Sequence, residues 1–391
     1  MRIGILTLYY KNYNYGGLLQ AYALQKILQK YGVDCEQICV DILFERTDLK
    51  AEKSICYRIR KAPWRIWKAV KWLNIVKHVV KKHMSEREKA FCSFEKQIPH
   101  SQKIYNKDNY RELADLYDII VVGSDQVWGN WIPDDVFRIY TAEDGFGKSK
   151  IVSYAASISS QEVSDTHKKM LQRNLRHFSY ISVREETARK QLEELFPAKE
   201  IDVVCDPVLL LTKDDWDQIA KAPNICGKYI FCYFLGQTKW HRDLARRIAD
   251  QKRIPIVYFP YIKSQKLNFQ ELTWGDIRNY DADPTEFVGL IKNAEMVITD
   301  SFHAMVFSVI YRKHFYILLR SSMQSKNSMN DRIFDFVNRF GLEKCLIKEK
   351  AQTGDMVSSG TIACYQRTEQ QMIDQRTKAM NYMNEMLTQS E

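Results

Sequence analysis

Residues 2–41, RIGILTLYYKNYNYGGLLQAYALQKILQKYGVDCEQICVD, contain the pattern that decides the fold class. The stretch opens with an apolar run, and a polar loop that ends in Gly16 and Gly17 follows. Apolar residues then recur with helical spacing over 18–32, and a second apolar run covers 33–41. This order predicts a β-strand, an α-helix and a second β-strand that lies parallel to the first.

The same alternation continues through the chain and forms two series. Apolar runs of strand length lie at 118–124, 150–157, 180–184 and 201–207 in the first series, and at 228–235, 254–260, 295–300 and 314–319 in the second. Strands that alternate with helices of about 10–15 residues are typical of parallel sheets covered by helices. We therefore predict two Rossmann-like α/β domains facing a cleft, over 1–205 and 206–350, with a helical tail over 351–391.

The composition excludes several classes of protein. Hydrophobic residues make up 45% of the 391 residues, which is too many for a disordered chain. No stretch approaches the roughly 20 apolar residues of a membrane-spanning helix, and the first apolar run is too short for an export signal. The nine cysteines are scattered and lack metal-binding spacing. We therefore expect reduced thiols, a cytoplasmic location and no metal site.

Residues 53–85 carry the whole positive excess of the chain. The net charge of +10 comes from 58 basic and 48 acidic residues, and this segment alone holds ten Lys or Arg and no Asp or Glu. With Trp64, Trp67 and Trp72 at helical spacing, it predicts a basic helical insert over about 45–110 of the first domain. Two interpretations stay open: a surface that contacts anionic lipid, or an insert whose tryptophans pack on its own domain. No nucleic-acid-binding motif accompanies the charge, so we expect no nucleic-acid partner.

Ligands of open α/β sheets bind beyond the carboxyl ends of the strands, and four strand ends carry unusual residues. Gly16 and Gly17 open a helix whose free backbone N–H groups favour an anion, although paired glycines also serve simple turns. Asp125 follows the run at 118–124, where it is either a catalytic carboxylate or the N-cap of the next helix.

Arg184 marks the third strand end. It lies at the start of a helix, where its positive charge opposes the helix dipole. The position predicts an anionic partner, which is either a ligand or a neighbouring carboxylate, Glu186 or Asp206.

His303 marks the fourth strand end. It falls in the first turn of a helix, next to Asp300 and Ser301. A histidine in that position can donate a hydrogen bond to a phosphate or act as a general acid or base.

Seven motifs resemble, in their order along the chain, those of the polysaccharide pyruvyl transferase family. They are NYGGLLQAYALQKIL, DIIVVGSDQVWG, VSYAASI, ISVREETA, DVVCDPVLLL, VITDSFHAMVFSVI and NDRIFDFVNRFGLE. The resemblance covers about 3–345 and spares the insert. It implies a fold of the GT-B glycosyltransferase type. It also implies transfer of the pyruvyl group of phosphoenolpyruvate onto a sugar of a cell-surface polysaccharide precursor, as a ketal, with no cofactor.

The resemblance also implies roles for individual residues. His303 matches a histidine near the donor phosphate, Asp125 a candidate catalytic base near the acceptor, and Arg184 a ligand of the donor anion. Several members carry arginine two residues before the histidine, where this chain has Ser301. Either Arg332 or Arg320 would supply that charge. The remaining expected substrate-binding residues are Gly16, Gly17, Asp300 and Ser301.

The expected partners are phosphoenolpyruvate and a sugar or lipid-linked oligosaccharide acceptor, at the inner face of the membrane if residues 53–85 contact lipid. Two other functions stay open. A GT-B glycosyltransferase that uses a nucleotide sugar would need a ribose-binding carboxylate, for which Glu286 is the candidate. A non-catalytic protein that binds anionic glycans or membrane surfaces would need neither a phosphoenolpyruvate site nor a nucleotide-sugar site.

Overall fold

The computed structural model describes residues 1–41, 81–260, 273–320, 330–350 and 365–388. The strands of the first sheet are β1 (Arg2–Leu6), β2 (Asp34–Val40), β3 (His100–Tyr105), β4 (Ile119–Val122), β5 (Lys150–Ser153), β6 (Phe178–Val183) and β7 (Ile201–Val203). Those of the second are β8 (Ile230–Tyr233), β9 (Ile256–Phe259), β10 (Ile277–Arg278), β11 (Met296–Thr299), β12 (His314–Leu318) and β13 (Leu346–Ile347).

The helices lie between these strands and at the end of the chain. They are α1 (Tyr15–Lys30), α2 (81–95 in its described part), α3 (Asp134–Tyr140), α4 (Asp165–Asn174), α5 (Glu186–Leu195), α6 (Lys213–Asp217), α7 (Lys239–Lys252), α8 (Pro284–Asn293), α9 (Phe302–Ile310), α10 (Asp331–Phe340) and α11 (Tyr365–Leu387). No helix in these described ranges is long and apolar enough to cross a membrane.

The two sheets confirm the predicted pair of Rossmann-like domains. The strand orders are β3-β2-β1-β4-β5-β6-β7 and β10-β9-β8-β11-β12-β13, with parallel pairing in both sheets. The order reverses at β1 and β4 in the first sheet and at β8 and β11 in the second, which marks the ligand-binding point of each sheet. The central strands β4 and β8 are apolar and fully buried, as expected of strands covered by helices on both faces.

The structure corrects the extent of the predicted helical insert. Residues 100–105, placed within the insert at 45–110, form β3 at the edge of the first sheet. An edge strand has one neighbour and can expose polar residues, and β3 buries only Ser101 and Tyr105. Within the insert, α2 is helical over 81–95. Residues 53–80, with the three tryptophans, lie outside the described residues.

The final helix packs against both domains. The Tyr382 hydroxyl on α11 donates to the carbonyl oxygen of Ser153 in β5, at 2.7 Å. The Thr368 hydroxyl on the same helix donates to the Phe340 carbonyl at the end of α10, at 3.1 Å. The predicted tail therefore contains a helix that packs on both domains and connects them.

Helix α1 carries the other main contact between the domains. The Tyr15 ring stacks on Phe287 of α8 at 4.5 Å, and its hydroxyl donates to the Ala282 carbonyl at 2.8 Å. The Arg87 guanidinium on α2 lies 4.9 Å from the Tyr15 ring and donates to the Pro260 carbonyl at 2.9 Å. These contacts bring the start of α1 to the carboxyl ends of the second sheet.

Candidate functional site

His303 and Gly16 meet at the junction of the domains. Gly16 lies in the first turn of α1 and His303 in the first turn of α9. A Cβ atom on Gly16 would lie 2.0 Å from His303 Nδ1. Neither Gly16 nor Gly17 has a positive φ angle, so the close approach of the imidazole, and not a turn, requires glycine at position 16.

One backbone N–H group at the start of α1 already has a partner within the chain. The Gly16 N–H donates to Oδ1 of Asn14, the N-cap residue, at 2.9 Å. Gly17 faces the preceding loop, since a Cβ there would lie 3.0 Å from the Leu8 carbonyl oxygen. The predicted anion contact of these glycines stays a prediction, and the contact in the structure is with His303.

Asp206 links His303 to Arg184. Its Oδ2 atom accepts a hydrogen bond from Arg184 Nη1 at 2.7 Å and lies 3.6 Å from His303 Nε2. Asp206 is buried, and its Oδ1 atom accepts from the backbone N–H of Val208. Burial raises the pKa of Asp206, but His303 and Arg184 outweigh burial and hold the pKa below its ordinary value. Asp206 is therefore a buried negative charge at neutral pH.

Arg184 is surrounded by carboxylates. Beyond the pair with Asp206, its Nη2 atom lies 3.6 Å from Asp125 Oδ1 and its Nε atom lies 3.8 Å from Glu185 Oε2. Both distances are too long for hydrogen bonds, so Nε and Nη2 have no hydrogen-bond partner among the described residues. Of the two carboxylates considered from the sequence, Asp206 pairs with Arg184, whereas Glu186 pairs with Arg189.

Asp125 lies in the loop after β4 and remains accessible to a ligand. Its φ angle is +66°, and its side chain is 15% exposed, unlike that of Arg184. The next helix, α3, begins at Asp134, so the interpretation of Asp125 as a helix N-cap is wrong. The loop leaves the carboxylate beside the Arg184 guanidinium.

Arg332 adds a second buried cation. The Phe302 ring lies 4.7 Å from the Arg184 guanidinium carbon and 5.5 Å from that of Arg332. Arg332 is buried, and its Nε atom lacks a hydrogen-bond partner in the described part of the chain. Burial, then the positive charges of Arg184 and Arg320, lower the pKa of Arg332 to about 9. A bound anion would relieve this repulsion.

Asp300 and Ser301 serve the backbone around the site. The buried Asp300 carboxylate accepts from the N–H groups of Leu235 and Gly236, at 2.6 and 2.9 Å, and so holds the loop after β8. The Ser301 hydroxyl caps α9 by accepting from the Ala304 N–H. Direct contact of either residue with a substrate stays a prediction.

Glu185 is not among the candidate site residues predicted from the sequence, and Asp206 is predicted only as a partner for Arg184. Glu185 Oε1 accepts from the Ser157 hydroxyl and from the N–H groups of Ile158 and Ser159, all within 3.0 Å. It thereby fixes the loop after β5. The signal for Asp206 is its place three residues after β7 and directly before Pro207, where it caps a short 3-10 helix.

Glu286, the candidate ribose ligand of a nucleotide-sugar enzyme, has partners within the chain. Glu286 Oε2 accepts from the N–H of Asp283 in a capping box of α8, and its Oε1 atom pairs with Lys221. The carboxylate proposed for a ribose is thus engaged in capping a helix.

Among the described residues, no group of three or more His, Cys, Asp or Glu is placed to hold a metal ion.

The comparisons with known proteins agree with the resemblance read from the sequence. The model of the polysaccharide pyruvyl transferase family matches residues 14–322. The chain belongs to this family. The match includes Gly16, Asp125, Arg184 and His303, and it ends before Arg332. No protein among the curated ones matches the chain.

Solved structures with a similar fold include UDP-GlcNAc 2-epimerases of low sequence identity. The enzyme from Methanocaldococcus jannaschii is 13% identical with a TM-score of 0.55, and the match covers 94% of each chain. A complex of S. aureus MnaA with UDP is 11% identical with a TM-score of 0.55, covering 100% of this chain and 98% of the other. The enzyme from Rickettsia bellii is 11% identical with a TM-score of 0.51, covering 98% and 97%. These likenesses establish the two-domain fold of the GT-B type.

Proposed function

We propose that this member of the family transfers the pyruvyl group of phosphoenolpyruvate onto two hydroxyls of a sugar in a cell-surface polysaccharide precursor. The observation that carries the proposal is the set of buried nitrogen atoms on Arg332, Arg184 and His303 that have no hydrogen-bond partner among the described residues. Phosphoenolpyruvate carries a phosphate and a carboxylate, and guanidinium groups bind both through charge-assisted hydrogen bonds.

The reaction needs one proton donor, one base and an anion clamp. The methylene carbon of the donor takes a proton, and an acceptor hydroxyl bonds to C2 of the donor while it loses its proton. The bond from C2 to the phosphate oxygen then breaks and releases inorganic phosphate. The second hydroxyl bonds to C2, loses its proton and closes the ketal.

The site offers a group for each role. Asp125, accessible at the edge of the site, is the base for the acceptor hydroxyl. His303, whose Nε2 atom lies 3.6 Å from the Asp206 carboxylate, is the proton donor. Arg332 is the main ligand of the donor anion, because Arg184 already faces Asp206, Asp125 and Glu185.

Product analysis tests the activity. The full chain is incubated with phosphoenolpyruvate and a panel of glycans, and phosphate release and the mass of the product are measured. We expect one phosphate for each pyruvate ketal. Incubation with UDP-sugars is the competing arm, and glycosyl transfer without use of phosphoenolpyruvate would refute the proposal in favour of the glycosyltransferase. Binding of glycans with no turnover of either donor would favour the non-catalytic alternative.

A histidine pair tests the assignment of the proton donor. His303→Gln should lower the rate of phosphate release by at least about 100-fold, in the range of general acid–base catalysis. His177→Gln is the matched control, since His177 is exposed on the first domain outside the site. Equal rates in both variants would remove His303 from the mechanism.

We also propose that residues 53–85 hold the protein at the cytoplasmic face of an anionic membrane, where a lipid-linked acceptor would lie. The support is the local charge, worth about 1 kcal/mol per Lys or Arg near such a surface, and the contact of α2, at the end of this segment, with the domain junction. Replacing its ten Lys and Arg with Gln should abolish sedimentation with phosphatidylglycerol vesicles. Unchanged sedimentation would refute the membrane contact and leave the transfer reaction untouched.

A further inference from the structure

Glu185 is a buried carboxylate that bonds to a neighbouring loop and not to its own helix. It is the N-cap residue of α5, but its side chain accepts no hydrogen bond from that helix. The N–H of Glu186, in the first turn, donates to Asp335 Oδ1 of the second domain, at 3.3 Å. Glu185 is 1% exposed, and its Oε1 atom accepts three hydrogen bonds from the loop after β5. The carboxylate therefore serves that loop.

Ser157, in the loop after β5, links Glu185 to Asp125. The Ser157 hydroxyl donates to Glu185 Oε1 at 2.9 Å. Its backbone N–H donates to the Asp125 carbonyl oxygen at 2.9 Å, and its own carbonyl oxygen accepts from the Trp128 N–H at 3.2 Å. One residue thus holds the loop after β4 at two points and Glu185 at a third. A shift of Ser157 must therefore move the Asp125 backbone or break these bonds.

The backbone conformation of both loops depends on such support. Asp125 has a φ angle of +66°, and the residues two positions before and after Ser157, Ala155 and Ser159, have φ angles of +48° and +57°. Residues other than glycine rarely adopt this left-handed conformation, and they keep it where the surrounding contacts hold them. Glu185 supplies one such contact, since its Oε1 atom also accepts from the N–H of Ser159, at 3.0 Å. Loss of the carboxylate should therefore loosen the loop after β5 and, through Ser157, the position of Asp125.

Glu185 also faces the guanidinium group beside Asp125. Its Oε2 atom lies 3.8 Å from Arg184 Nε, and Asp125 Oδ1 lies 3.6 Å from Arg184 Nη2. The Arg184 backbone N–H donates to the carbonyl oxygen of Ala156, directly before Ser157, at 3.1 Å. One carboxylate thus contacts both partners of the Asp125–Arg184 pair, Arg184 directly and Asp125 through Ser157.

We propose that Glu185 is a positioning residue that holds the Asp125 carboxylate beside Arg184, in the place from which it meets the acceptor hydroxyl. Glu185 acts through Ser157 and needs no contact with either substrate. This inference rests on the proposed function for the role of Asp125 as the base, but the link between Glu185 and Asp125 does not depend on the reaction.

Amide hydrogen exchange, resolved to single residues on the full chain, tests the link without any substrate. The N–H groups of residues 157 and 128 join the two loops, so both should exchange at least about tenfold faster in Glu185→Ala than in the wild type. Glu185→Gln keeps an acceptor oxygen and should keep most of the protection. Glu186→Ala is the matched control and should change neither rate, because the Glu186 side chain pairs with Arg189 on the surface of α5.

Steady-state kinetics separate positioning from general damage to the fold. With phosphoenolpyruvate and a glycan that product analysis identifies as an acceptor, Glu185→Ala should lower kcat by about 100-fold, the cost of displacing a catalytic group by about 1 Å. The KM for phosphoenolpyruvate should stay unchanged or fall, because the variant removes a negative charge beside the Arg184 guanidinium. Glu185→Gln should recover most of kcat.

Ser157→Ala tests the same link with a smaller change. It removes one of the three hydrogen bonds to Glu185 Oε1 and leaves the carboxylate in place. Exchange at positions 157 and 128 should rise in this variant, and kcat should fall by about tenfold. This variant decides the question if Glu185→Ala does not fold.

The outcomes separate this inference from the proposed function. Unchanged exchange at positions 157 and 128 in the folded variants would overturn the link. A higher KM for phosphoenolpyruvate with an unchanged kcat would also overturn it, and so would a Glu185→Gln variant as impaired as Glu185→Ala, because the charge and not the hydrogen bonds would then matter. If no pyruvyl transfer is found but exchange depends on Glu185 and Ser157 as expected, the link stands and the proposed reaction fails.

Discussion

Replacing Gly16 with alanine probes the contact on which the two halves of the site depend. The new Cβ atom would lie 2.0 Å from His303 Nδ1 and 2.5 Å from its Cγ atom. Ordinary contact begins near 3.4 Å, so the ring must retreat by about 1.4 Å, the difference between 3.4 and 2.0 Å. Because Nε2 faces Asp206, the retreat also breaks the alignment of His303 with that carboxylate.

The cost to stability should be small, and the cost to activity large. Overpacking of a buried site costs about 1–3 kcal/mol, and alanine in place of glycine inside a helix returns up to about 1 kcal/mol. The net loss should therefore be about 0–2 kcal/mol. A displacement of about 1 Å in a catalytic group costs about 100-fold in rate, which is the fall expected in kcat/KM for phosphate release.

Gly17→Ala is the matched control, since it adds the same atom one residue further along α1. Its Cβ atom would lie 3.0 Å from the Leu8 carbonyl oxygen and 3.1 Å from Asn12 Nδ2, so a shift of a few tenths of an ångström accommodates it. Because alanine keeps the backbone N–H through which Gly17 is predicted to contact an anion, the rate of this variant should stay close to that of the wild type. The reasoning fails if Gly16→Ala also keeps its rate and leaves the nitrogen chemical shifts of the His303 imidazole unchanged.

Three further variants test the charges and the domain contact. Arg332→Gln should lose most of the rise in Tm that phosphoenolpyruvate gives the wild type, because it removes a buried cation whose Nε atom has no partner in the described part of the chain. Arg111→Gln should keep that rise, because Arg111 forms an exposed ion pair with Asp144 outside the site. Asp206→Asn should be destabilised by about 1–3 kcal/mol at pH 7, because Arg184 loses its hydrogen-bonded carboxylate but keeps Asp125 and Glu185 at 3.6 and 3.8 Å. The pKa of Asp206 in the folded protein lies below its ordinary 3.8. The wild type should therefore be more stable than Asp206→Asn above about pH 4, and this difference in the free energy of unfolding should shrink as the pH falls further. Urea unfolding at pH 7, 4 and 3 measures it. Tyr15→Phe should cost about 1–3 kcal/mol in the same assay because the buried Ala282 carbonyl loses its donor, and an unchanged midpoint would contradict the contact.

Local signals explain why much of the fold is predictable. Helix α8 shows such a signal, because Asp283 caps it and Pro284 opens it. The exposed strand β3 gives no such signal, since its middle residues are polar and its pairing with β2 depends on a chain segment far away in sequence. The packing of α11 on both domains is equally unpredictable from sequence, because a helical pattern does not reveal which domains the helix contacts.

The amino-acid sequence by itself determined which residues stand at the carboxyl ends of the strands. Alternation of apolar runs and helical spacing is a local property, and it placed Gly16, Asp125, Arg184 and His303 at four such ends. Only the tertiary structure decided how these ends meet. The contact of Gly16 with His303 and the bridge of Asp206 between His303 and Arg184 join residues from different elements and both domains. Such contacts follow from how the two domains pack together, which no pattern within either domain encodes.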